Sequence, residues 1–244
     1  MNYINPPAET PRYVYHKTFY SDLIEHEIGY NIYLPPGYGE SDKGYPVMYY
    51  LHGHLGNESS DIWTLEKVYK NIDAITVFAN SASSDDGYLD NESILIKELL
   101  PHIDGQYKTD ATRENRLLSG FSMGGGSAFY YAVKYHELFV SVTAYAGTYH
   151  HYYHKDLRSV GEPPERAVEL YEKELKHFEK DGIFYLIRQN TDKMRKSLKI
   201  RLHIGTADVL FCDNEILHIY LDSLGIPHEY KIFENAGHDL SKIL

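Results

Sequence analysis

A chain of 244 residues, 43% of them hydrophobic, can bury a sizeable core and fits one α/β domain as readily as two small ones. Its formal net charge of −11, with no run of lysine and arginine, excludes the basic patch that a nucleic acid or an anionic membrane requires. The apolar stretches are far shorter than the roughly 20 residues that span a bilayer. Met1–Pro7 has neither a basic start nor an apolar core, so no secretory signal is read and a cytoplasmic location is expected. The lone Cys212 excludes an internal disulfide.

Taken in order, the proline-rich residues 1–11 lead into strands expected at Tyr13–Tyr20 and His26–Leu34, an antiparallel hairpin stopped by Pro35-Pro36-Gly37. Tyr45–Leu51 is a continuous apolar run of the kind covered on both faces. It ends in His52-Gly53-His54-Leu55-Gly56, and a helix is expected over about Ser60–Lys70. Ala74–Ala79 reads as a buried strand. Asp90–Tyr107 reads as a helix with Ile94, Leu95, Leu99 and Ile103 on one face, kinked or restarted at Pro101. A short strand ends at Ser119, a helix follows over Gly125–Tyr135, and Val140–Ala146 makes a sixth strand. The alternation breaks over 147–196, where a charged helix is expected at about Glu165–Lys180. Strand Lys199–Ile204, helix Asp213–Leu224 and strand His228–Phe233 complete the chain. The pattern predicts an α/β fold, a mainly parallel eight-stranded sheet with helices on both faces. One domain over 1–244, with 147–196 as a lid-like insertion after the sixth strand, is the economical division.

The chemistry centres on Gly120-Phe121-Ser122-Met123-Gly124, a G-x-S-x-G between a strand and a helix. That context predicts a sharp turn that lifts the Ser122 hydroxyl above the sheet edge and faces it with a helix N-terminus. A serine hydroxyl needs an imidazole to take its proton, and the imidazole needs a carboxylate to fix its tautomer. Ligands of such sheets bind beyond the carboxyl ends of the strands. Gly205-Thr206-Ala207-Asp208 follows one late strand, and Ala236-Gly237-His238-Asp239 follows the last. The order Ser122, Asp208, His238 is the one expected of α/β-hydrolases. Asp213 and Asp239 compete with Asp208 for the acid: Asp213 is better explained as a helix N-cap, and Asp239 adjoins the histidine itself. Two backbone N–H donors should hold the developing oxyanion, one from Met123 and one from His54 in the loop after Tyr45–Leu51. His52 reads as structural.

Together "NIYLPPGY", "YPVMYYLHG", "GFSMGG", "LHIGTAD" and "AGHD" resemble the putative-esterase branch of the α/β-hydrolases over about residues 18–240. That branch includes esterase D (S-formylglutathione hydrolase), the feruloyl and acetylxylan esterases of carbohydrate esterase family 1, and the mycolyltransferases. The resemblance implies an α/β-hydrolase fold, with Ser122 as nucleophile, His238 as base, Asp208 as its orienting acid, and His54 and Met123 as oxyanion amides. "LHGHLGNESSDIW" is most similar to the feruloyl-esterase-like group. S-formylglutathione hydrolases carry a cysteine soon after the His-Gly pair, where this chain has Asn57 and Glu58.

Leu55 and Trp63 are the candidate substrate contacts. Trp63 either forms an aromatic wall for a phenolic acyl group or packs helix on sheet. His150, His151 and His154 lack a companion carboxylate or cysteine pattern, so no metal is expected, and no cofactor. The expected function is a serine carboxylesterase for feruloyl, hydroxycinnamoyl or acetyl esters of sugars, with a small-molecule ester as its partner. A homo-oligomer is compatible with the sequence. The rivals are an acyltransferase or thioesterase on the same three residues, and a binding protein that kept the fold without activity.

Overall fold

The computed structural model describes residues 3–40, 42–80, 91–149 and 182–244. Most of the expected insertion, including His150, His151, His154 and Glu165–Lys180, lies outside the described residues. Among those described, eight strands form one sheet in the order β1-β2-β4-β3-β5-β6-β7-β8. By its contacts the chain divides into two compact units, Met1–Leu117 and Leu118–Leu244.

In the first unit, β1 (Val14–Ser21) and β2 (His26–Tyr33) form the expected antiparallel hairpin, with Val14 opposite Tyr33 and Ser21 opposite His26. β1, at the sheet edge, buries Val14, Phe19 and Ser21 and leaves Tyr15, Lys17, Thr18 and Tyr20 to solvent. β3 (Val47–Leu51) and β4 (Ile75–Ala79) are buried at every position and pair in parallel, which is why their sequences show no alternation. Much of the tyrosine is core: Tyr30, Tyr33, Tyr49, Tyr50 and Tyr69 are fully buried.

Two helices of this unit differ from expectation. Instead of a helix from Ser60 there is a series of turns, and α1 covers only Glu66–Tyr69. Asn57 Oδ1 accepts the Ser59 N–H at 2.9 Å, Ser60 Oγ accepts the Asn57 N–H at 2.9 Å, and Tyr50 donates to Asp61 at 2.7 Å. These side-chain bonds hold the Asn57–Asp61 segment in turns ahead of α1. The second helix runs as α2 (Asn91–Ser93), a π-helical stretch (Ile94–Leu99) and α3 (Leu100–Gln106). Pro101 does restart the helix at its first turn. Having no N–H to offer the preceding turn, it is met by a wider one, in which the Leu100 N–H reaches the Leu95 carbonyl.

In the second unit, β6 (Ser141–Tyr145), β7 (Lys199–Gly205) and β8 (Glu229–Phe233) are parallel and in register. β5 (Arg116–Phe121) runs straight into α4 (Met123–Lys134), which packs on β6 and on α5 (Gly182–Ser197). α6 (Phe211–Ser223) packs on β7. Parallel strands of this kind bring their following loops to one end of the sheet, and the Ser122, Asp208 and His238 segments all leave from that end.

Candidate active site

Ser122 occupies the single residue between β5 and α4, at φ 56° and ψ −120°, a backbone conformation that side-chain-bearing residues rarely adopt. The turn is held from several sides. The Ser122 N–H donates to the Tyr145 carbonyl at 2.9 Å, and its carbonyl accepts the N–H groups of Gly126 at 3.0 Å and Thr148 at 3.2 Å. So tight a strand-to-helix passage leaves no room at Gly120, where a Cβ would lie 2.3 Å from the Gly124 carbonyl oxygen. The spacing of the glycines in G-x-S-x-G is therefore the spacing of a backbone crossing.

The loops after β7 and β8 are fastened to each other. The Thr206 N–H donates to the Phe233 carbonyl at 3.0 Å, the Ala207 N–H to the Ala236 carbonyl at 2.9 Å, and the Asn235 N–H to the Thr206 hydroxyl at 2.8 Å. This places the His238 Nδ1 at 3.0 and 2.9 Å from the two carboxylate oxygens of Asp208. The Nε2 lies 2.9 Å from the Ser122 Oγ. The Asp208 side chain is fully buried, that of His238 is 31% exposed, and Asp208 Oδ1 also accepts the Leu210 N–H at 2.8 Å. A carboxylate can only accept, so the imidazole carries its proton on Nδ1 and turns the Nε2 lone pair to the serine hydroxyl. This is the arrangement in which an imidazole can draw a proton from an alcohol.

The competing acids are engaged elsewhere. Asp213 is not the helix cap that its position suggests, because α6 begins earlier and Leu210 stands at the cap without a side-chain bond. Its buried carboxylate instead accepts the Tyr149 N–H at 2.7 Å, while Asn214 donates to the Gly147 carbonyl at 3.0 Å. Both residues thus hold the segment after β6. Asp239 accepts the Ser241 N–H at 3.0 Å and hydroxyl at 2.7 Å, bonds that hold its carboxyl below the usual range.

Phe121 is a contributor that sequence reasoning passed over. Its ring stacks on the His238 imidazole with centroids 4.7 Å apart and 27° between planes. Its place beside Ser122, at the end of β5, is the one signal that could have found it. Met123 is the first residue of α4, so its N–H has no acceptor within the helix.

His54, Leu55 and Trp63 belong to the first unit. The loop carrying them closes with the Gly56 N–H on the Gly53 carbonyl at 3.0 Å and turns through Leu55 at φ 61°. Leu55 is 79% exposed and Trp63 52% exposed. His52 is buried, its Nδ1 2.8 Å from the Gly53 carbonyl, and burial lowers its pKa, as suits a structural imidazole.

Residues 21–242 match the family described as "Putative esterase". The chain belongs to that family. An esterase of Mycobacterium tuberculosis is 32% identical over 153 residues, covering 56% of this chain and 32% of the relative. An endo-1,4-β-xylanase/feruloyl esterase of Xylanibacter ruminicola is 34% identical over 131 residues, covering 44% of this chain and 18% of the relative. The chain thus spans about a third or less of the length of these curated relatives. Among solved structures, a ferulic acid esterase superposes with a TM-score of 0.72 at 22% identity, covering 94% of this chain and 92% of its own. An S-formylglutathione hydrolase of Staphylococcus aureus does so with a TM-score of 0.71 at 17% identity, covering 93% and 92%. These likenesses show that this family member has the α/β-hydrolase fold.

Proposed function

We propose that the chain is a serine carboxylesterase that works through an acyl-enzyme. The observation that carries this reading is the continuous hydrogen-bonded run from the buried Asp208 through His238 to Ser122, with the serine held at the head of α4. His238 Nε2 takes the hydroxyl proton as Ser122 Oγ attacks the ester carbonyl. The imidazolium so formed is stabilised by Asp208, and the oxyanion by the amides of Met123 and His54. His238 then gives its proton to the departing alcohol. In the second half, the same imidazole takes a proton from water, which attacks the acyl-serine, and Ser122 leaves with that proton restored.

The proposed substrates are feruloyl, other hydroxycinnamoyl or acetyl esters of sugars. Support comes from the relatives named for feruloyl ester cleavage and from the exposed Trp63, an aromatic face open to a phenolic ring. A thioesterase or acyltransferase on the same residues is the second reading, favoured by the likeness to S-formylglutathione hydrolase. Hydrolysis of methyl ferulate, an aryl acetate, an acetylated xylooligosaccharide and S-formylglutathione, compared by kcat/KM, separates them. The ester reading expects a cinnamoyl or acetyl ester to lead; S-formylglutathione leading by a wide margin would replace it with the second.

A further inference from the structure

The opposite end of β8 from His238 carries a second cluster. His218 and Asp222 stand four residues apart on α6, hence on one face of it. The helix closes with the Gly225 N–H on the Asp222 carbonyl and the Ile226 N–H on the Leu221 carbonyl, both at 2.9 Å, a reversal that returns the chain beside its last turn. His228 follows at once. Its Nε2 lies 2.7 Å from His218 Nδ1, and its Nδ1 lies 2.9 Å from the Ile226 carbonyl. Asp222 oxygens lie 3.6 Å from His218 Nε2 and 4.0 Å from His228 Nε2.

The tautomers expose what this cluster needs. A carbonyl can only accept, so His228 carries its proton on Nδ1 and presents a lone pair at Nε2. If His218 donates to that lone pair through Nδ1, its own Nε2 lone pair faces the Asp222 carboxylate, two acceptors without a proton between them. Positive charge removes the conflict, either as a second proton on His218 or as one cation held by one nitrogen of each ring and an Asp222 oxygen. One ligand atom from each residue lies within 4.8 Å of the others. Ligand bonds of about 2.0–2.2 Å in a tetrahedral site set neighbouring donors about 3.4 Å apart, and the Asp222 oxygens come near that spacing, at 3.6 Å from His218 Nε2 and 4.0 Å from His228 Nε2. Supports are in place as well. The His228 N–H held by a backbone carbonyl is how metal-bound imidazoles are usually oriented. Tyr230 stacks on His218 at 4.3 Å and 19°, with its hydroxyl bonded to the Glu215 carboxylate. The His228 side chain is only 2% exposed, while Asp222 is open to solvent at 64%, which leaves an entry path.

We propose that His218, Asp222 and His228 form a site for a transition-metal dication, zinc foremost, that ties the last turn of α6 to the start of β8. Two nitrogens and one carboxylate oxygen suit zinc better than the oxygen-seeking calcium or magnesium. The fourth position would be taken by water.

The test is zinc binding to the purified, chelator-treated chain by equilibrium dialysis with metal analysis, together with cobalt(II) titration read by its visible absorption. The expected result is one ion per chain, tetrahedral cobalt bands, and zinc affinity reduced by roughly tenfold or more in Asp222→Asn and in His218→Gln, on the scale by which supporting changes at metal sites act. Asp222 is exposed, so its substitution leaves folding intact, which circular dichroism checks. Ser122→Ala and His238→Gln should bind zinc as the parent does. No zinc bound by the parent, or equal binding by Asp222→Asn and His218→Gln, would overturn the proposal. So would loss of the ion on changing His238, or on changing His150, His151 and His154 together.

Discussion

Gly205 meets Ala236 so closely that a Cβ on the glycine would lie 2.1 Å from the Ala236 carbonyl oxygen. The contact joins the end of β7, three residues before Asp208, to the loop that delivers His238. Neither partner can give way cheaply, because the obstacle is backbone. Gly205→Ala should therefore separate acid from imidazole without touching either. A displacement of about 1 Å costs on the order of a hundredfold in rate, and kcat for an aryl ester should fall by roughly that much. Steady-state kinetics with a thermal melt checks this; wild-type kcat in a folded variant would show that the close approach does not position the site.

Asp208→Asn keeps the volume and an acceptor for the Leu210 N–H but removes the negative charge beside the imidazole and puts an amide donor where one of the two oxygens stood. In a serine protease the corresponding change lowers kcat by about ten-thousandfold through the wrong tautomer. A loss of roughly a thousandfold or more in kcat is expected here, with KM nearly unchanged. A tenfold effect or less would return Asp239 or Asp213 to consideration.

On the proposed function, Trp63 is the residue through which acyl preference should be read. Its ring is half exposed, so Trp63→Ala should change stability by no more than about 0.5 kcal/mol, as surface substitutions do. The KM for methyl ferulate should rise severalfold, and that for an aryl acetate should stay put. Equal changes for both esters would remove Trp63 from substrate recognition.

Acid should loosen the fold through its buried imidazoles. Burial lowers the pKa of His52 and of His203, whose Nδ1 lies 2.8 Å from the Ile243 carbonyl. Unfolded, each takes up a proton near the ordinary value of 6.5, which the folded chain resists. Stability is thus fully present above pH 6.5 and is lost as pH falls below it toward the folded values. Urea midpoints should drop between pH 7.5 and 5.0, and His203→Gln should flatten that slope. A midpoint independent of pH would contradict the assignment.

The central strands were legible as continuous apolar runs, such as β3 and β4, and the serine, acid and imidazole because each lies in the segment after a strand, Ser122 at once and Asp208 and His238 within a few residues. What escaped the sequence depends on contacts between distant residues. The turns at Asn57–Asp61 are held by side-chain bonds that include one from Tyr50, the π-helical turn before Pro101 depends on how a missing donor is accommodated, and Asp213 on a carboxylate reaching back to Tyr149. The stacking of Phe121 on His238 is a long-range contact, which its place beside Ser122 only hints at. The cluster at His218 and His228 was hidden because a helix end and a strand start had to meet before the two rings could.

The central claim is that Ser122 becomes a nucleophile under His238. Intact-mass measurement after incubation with a fluorophosphonate tests it most directly, with Ser122→Ala alongside. One adduct per chain, mapped to Ser122, absent in Ser122→Ala and accompanied by loss of aryl-ester turnover, is the predicted result. Folded protein that takes no adduct, or a Ser122→Ala variant that still turns over the ester at the parent rate, would contradict it.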